Sequence, residues 1–106
     1  MLSKFDKEIA LEFKKRIEKI IPILDFRVFG SRARGDASDD SDLDVFIEVE
    51  NISSQQRLFI SEIASDIGFE RDLIITTLVA TYQHLVAGPL GADPIMQNIE
   101  KEGIAL

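Results

Sequence analysis

Residues 43–49, LDVFIEV, alternate without a break, and no other stretch constrains the fold as much. Successive side chains of an extended chain point to opposite faces, so Leu43, Val45, Ile47 and Val49 share one face and must be buried together. A slip of one residue would turn that whole apolar set toward water, which pins the register. Asp42 and Asp44 stand two apart at the start of the strand, so their carboxylates lie together on the opposite, open side.

The rest of the chain supplies cover for such a strand. Phe5, Ile9, Phe13, Ile17 and Ile20/Ile21 recur every three or four residues, which predicts an amphipathic helix over 4–21. Ser3 with Asp6 reads as its capping box, and Pro22 as its stop. A short strand over 25–29 (DFRVF) runs into Gly30. Ser53 and Gln56 cap a helix over about 54–67 that buries Phe59, Ile63 and Ile67, with Gly68 closing it. The β-branched run 71–77 (RDLIITT) predicts a third strand, opened by Asp72. Asp93, Pro94 and Gly103 mark the two ends of a last helix. The expected class is α/β in the α+β sense: a single domain over 1–106, with a small mixed sheet flanked by helices.

Composition narrows the function. Nineteen acidic residues against twelve basic ones give a net charge of −7. Gripping a nucleic-acid backbone takes a basic face, so direct nucleic-acid binding is not expected. Cysteine is absent, which excludes disulfides, thiol catalysis and Cys-ligated metal. No apolar run approaches a membrane span and no signal-peptide pattern opens the chain, so a cytoplasmic protein is expected.

Chemistry concentrates in residues 29–44. A strand ends at Phe29 and turns through Gly30-Ser31 into Arg32, where a short helical turn opens. Glycine admits a ligand close to the backbone, and serine adds a hydroxyl, so the turn reads as a phosphate cradle. Two adjacent carboxylates repel unless a cation lies between them, and Mg²⁺ favours one or two carboxylates completed by phosphate oxygens. Asp72 is the candidate third carboxylate if its strand lies beside 43–49. Three carboxylates facing a phosphate cradle form a two-metal phosphoryl-transfer site. Rival motifs fail on their residues. Gly30 to Gly35 has P-loop spacing, but Asp36-Ala37 stand where Lys-Ser/Thr is required. An EF-hand loop beginning at Asp40 would need glycine where Val45 stands.

Gly30-Ser31, ten intervening residues, Asp42-Leu43-Asp44 and a later strand-opening aspartate resemble the DNA polymerase β-type nucleotidyltransferases. More narrowly, GSRARGDASDDSDLDVFIEV resembles the minimal nucleotidyltransferases, a single-domain branch often paired with a HEPN-domain toxin. The resemblance implies that Gly30 and Ser31 hold the β- and γ-phosphates of ATP or another nucleoside triphosphate; Arg32 and Arg34 read equally as further phosphate contacts or as partners of the neighbouring aspartates. It implies that Asp42, Asp44 and Asp72 ligate Mg²⁺, two ions in the two-metal form, and that Asp72 helps deprotonate the attacking hydroxyl. The implied activity is AMP transfer to a tyrosine of the HEPN partner, which makes the chain an antitoxin. A binding module that neutralises its partner without turnover is the alternative, and transfer to a small molecule through a homo-oligomer is a third reading. The expected docking patch lies on residues 78–91, where Leu85, Val86 and Leu90 surround a Gly-Pro turn.

Overall fold

The computed structural model describes residues 2–106. Helix α1 spans Lys4–Glu18, and β1, Asp25–Phe29, leads directly into the single-turn helix α2, Gly30–Arg34. Strand β2, Leu43–Val49, is followed by α3, Ser54–Arg71, and by β3, Ile75–Thr81. Helix α4 (Tyr82–Val86), a 3₁₀ turn over Pro89–Ala92, α5 (Pro94–Glu102) and the short strand β4 (Ile104–Ala105) complete the order.

The caps act largely as the sequence implies. Ser3 Oγ accepts from the Asp6 amide at 3.0 Å. The Asp6 carboxylate does not return to the cap, and its partner lies elsewhere. Ser53 and Gln56 form the full reciprocal box, at 3.0 and 2.9 Å. Asp93 accepts from the Ile95 amide at 2.9 Å, Pro94 opens α5, and Gly103 follows its last residue.

The four strands run in the order β3-β2-β1-β4. β1 pairs antiparallel with both β2 and β4, whereas β2 and β3 are parallel. Parallel neighbours need a crossover, and α3 is that crossover. Leu43, Val45, Ile47 and Val49 are all buried, joined by Phe26 and Val28 of β1 and by Ile9, Phe13 and Ile17 of α1. Phe13 meets Phe26 edge-on, with ring centroids 6.1 Å apart. Each fully buried side chain of this size is worth roughly 1.5–3 kcal/mol, so this layer holds the sheet flat against its helices. On the other face, Phe46 and Ala80 pack with Met96 and Ile99 of α5. That second cover leaves the Asp42 end of the face open to solvent.

Several expectations are corrected. Helix α3 does not end at Gly68; it runs to Arg71, and Asp72 is its C-cap in the left-handed region, φ 57°. Gly68 serves a different purpose, since a Cβ there would press on the Leu73 carbonyl of the returning chain. The third strand therefore begins at Ile75, not Arg71. The buried stripe of α3 is Ile60, Ala64 and Ile67, and Phe59 faces out. Phe5 is also half exposed, because α1 buries only from Asp6 onward. The supposed docking patch is largely used internally: Leu85 and Leu90 pack on the Phe46–Met96 cluster, leaving Val86 and Tyr82 outward.

Candidate active site

The site is built where β1 gives way to α2 and where β2 begins. Residue Phe29 pairs with Asp44 across the antiparallel ladder, so the residue after it, Gly30, turns directly over the Asp44 side chain. Gly30 has φ +75°, and a Cβ on it would overlap the Asp44 carboxylate. Only glycine meets both demands. Gly30→Ala is accordingly expected to cost about 1–2 kcal/mol in backbone strain alone. It should also abolish triphosphate binding, read by a nucleotide titration beside a urea melt.

Asp42, just before β2, and Asp44 within it stand two residues apart, and Thr76 of β3 lies beside Asp44 in register. The Thr76 hydroxyl donates to Asp42 Oδ2 at 3.0 Å. Partial burial pushes the Asp44 carboxyl above its ordinary value, the neighbouring charge of Asp42 adds to this, and Arg34 opposes both. A raised folded-state value means that the folded protein holds the proton more tightly than the unfolded chain. The resulting stability is fully present below the ordinary aspartate value and is lost as pH rises through the folded one. Melting curves in EDTA should therefore show the gap between the wild type and Asp44→Asn widening in favour of the variant as pH rises toward neutral.

Both arginines of α2 pair with carboxylates, Arg34 with the neighbouring Asp36 and Arg32 with one far away in the chain. Arg32 is not placed for phosphate. Its Nη1 donates to Asp6 Oδ1 at 2.8 Å, its Nε to the Ser41 carbonyl at 2.8 Å and its Nη2 to the Asp39 carbonyl at 3.1 Å. The side chains of this pair are only 10% and 7% exposed, so Arg32 is a structural clamp on the loop that delivers Asp42. Nothing near Arg32 in the sequence announces a partner 26 residues earlier. Arg34, exposed and paired at the surface with Asp36 (3.2 Å) and Glu102 (3.1 Å), is the cation whose field reaches Asp44.

Asp72 does not join the pair. As the left-handed cap of α3 it lines a groove of about 1270 Å³, along with Phe5, Arg32, Asp39, Ser41 and Phe69, and neither Asp42 nor Asp44 is part of that lining. Among the described residues, no three His, Cys, Asp or Glu side chains come together to hold a metal. The aspartate pair still fits Mg²⁺. It offers hard oxygen donors on one open face, and burial and the neighbouring charge make ionisation of Asp44 costly, a cost that a cation would relieve.

Residues 7–106 match the model of the nucleotidyltransferase domain family. The chain belongs to that family. This nucleotidyltransferase is 30% identical over 80 residues to a protein of Methanocaldococcus jannaschii named "Putative protein adenylyltransferase MJ0141", covering 74% of this chain and 75% of that one. Its fold is similar to a chain of a toxin–antitoxin crystal structure with AMP-PNP, at TM-score 0.57 and 16% identity, over 89% of this chain and 69% of the other. It is also similar to a chain of the toxin–antitoxin MntA-HpeT carrying two aspartate-to-glutamate changes, at TM-score 0.59 and 14% identity, over 94% and 70%. Among the described residues, no helix is long and apolar enough to cross a membrane.

Proposed function

We propose that this nucleotidyltransferase moves AMP from ATP to a tyrosine hydroxyl of a partner protein, a HEPN-domain toxin, and thereby acts as its antitoxin in the cytoplasm. The observation that carries the reading is the contact of Gly30 with Asp44: a side-chain-free turn and a metal-binding carboxylate adjoin, as transfer at a triphosphate requires. Gly30 and the Ser31 hydroxyl seat the β- and γ-phosphates, and Arg34, held only by exposed pairs, turns toward the same anion. Asp42 and Asp44 would hold Mg²⁺, which when bound neutralises the phosphate charge and polarises the α-phosphoryl group. In this reading Asp42, the more exposed of the two carboxylates, also takes the proton of the acceptor hydroxyl as that oxygen attacks the α-phosphorus in line and pyrophosphate departs. Positioning and charge neutralisation suffice for such a reaction.

The relatives support the protein acceptor: one is named for protein adenylylation, and the structural neighbours are toxin–antitoxin proteins, one with an ATP analogue. The two aspartates exchanged in the other neighbour stand two residues apart, the spacing of Asp42 and Asp44. A net charge of −7 suits docking to a basic partner. One observation favours the second reading, a nucleotide-binding module that neutralises its partner by contact: no third carboxylate flanks the pair among the described residues.

The test is label transfer with Mg²⁺ and a co-expressed neighbour protein. Label from α-³²P-ATP on the partner supports adenylyl transfer. Label from γ-³²P-ATP, or nucleotide binding with no transfer, overturns it, and the second outcome establishes the binding module.

A further inference from the structure

We infer that Thr76 is a positioning residue of this site, one that orients Asp42 from the place on β3 where a third carboxylate would reach the same face. The inference rests on the proposed reading of the aspartate pair. Thr76 stands directly beside Asp44 in the parallel ladder, and register partners share a face, so its hydroxyl belongs to the side on which both carboxylates lie. That hydroxyl donates to Asp42 Oδ2 at 3.0 Å. The bond occupies one oxygen of Asp42 and leaves the other free for a ligand.

A neutral hydroxyl in that place has two consequences. It fixes the orientation of Asp42 as a second carboxylate would not, because like charges repel. It also leaves the site one negative charge short of a three-carboxylate set, so the protein alone is a poor divalent site. Phosphate oxygens must complete the coordination, as Mg²⁺ commonly requires. Metal and nucleotide should therefore bind together, each weak without the other. Both Thr76 and Asp42 are exposed, so the bond carries little of the fold's stability.

Mn²⁺, followed by the loss of its free-ion resonance signal, tests this on the full chain with and without an ATP analogue bridged by methylene between the α- and β-phosphates. The wild type should bind Mn²⁺ weakly alone and more tightly with the analogue. Thr76→Val, which keeps the branched shape, should weaken the joint binding and the turnover by about 10–100-fold at unchanged melting temperature. Thr76→Ser should restore both, and Thr76→Asp should raise Mn²⁺ affinity without nucleotide. Equal binding by Thr76→Val, no rescue by serine, or no gain with aspartate overturns the role of Thr76 alone. A wild type that binds neither Mn²⁺ nor the analogue overturns the nucleotidyl-transfer reading and this inference with it.

Discussion

Asp42→Asn combined with Asp44→Asn is expected to abolish Mg²⁺-dependent triphosphate turnover and to leave the fold standing. Both side chains lie on the open end of their sheet face, clear of the Leu43–Val49 core, so no packing is lost. The rate should fall by more than ~10³-fold, since removing even one donor to a developing charge costs about 10²–10³. The stability effect should run the other way. Asp44 is partly buried beside a like charge, and asparagine removes both penalties, so the double variant should melt higher than the wild type in EDTA. Adding Mg²⁺ with nucleotide should raise the wild-type melting temperature by mass action and leave the variant unmoved. Retained turnover in the variant would remove the pair from the chemistry.

Arg32→Met is the second large expected effect, and it separates a clamp from a phosphate contact. Removing the guanidinium strands the buried Asp6 carboxylate, at a cost of about 3–5 kcal/mol in urea unfolding. Changing Asp6→Leu in the same chain should recover most of that loss, because an apolar pair can replace a buried ion pair. It should not restore order to the loop, whose Asp39 and Ser41 carbonyls would still lack their donor. Hydrogen exchange over residues 36–42 reads that difference. If Arg32 met phosphate instead, Arg32→Met would raise the KM for nucleotide with stability intact.

Legibility in the sequence followed the range of the interactions. Strands β1 and β2 and the start of α5 have the expected bounds, because alternation and caps act between near neighbours. Gly68 is ambiguous for a local reason. Glycine suits a helix stop, but here it permits close passage of the Leu73 carbonyl, and Asp72 takes the left-handed position instead, as aspartate can. That shift carried the start of β3 to Ile75 and Asp72 out of the site. Thr76 carries no signal of its own in the sequence, since its place beside Asp44 exists only once the register is known. The function of Arg32 depends on a partner in another helix, and no spacing rule reaches that far.

Helix α2 is only one turn long, yet its two arginines reach opposite extremes of the chain order. Arg32 ties it firmly to α1, 26 residues earlier, and Arg34 ties it loosely to α5, 68 residues later. A chain emerging from the ribosome would have both aspartates and the glycine turn long before α5 exists. Such contacts between distant residues form late. Until then Arg34 has no Glu102 to hold it, and the second face of the sheet is bare around Phe46. The glycine turn and both aspartates thus precede, in chain order, the helix that covers the second face of their sheet.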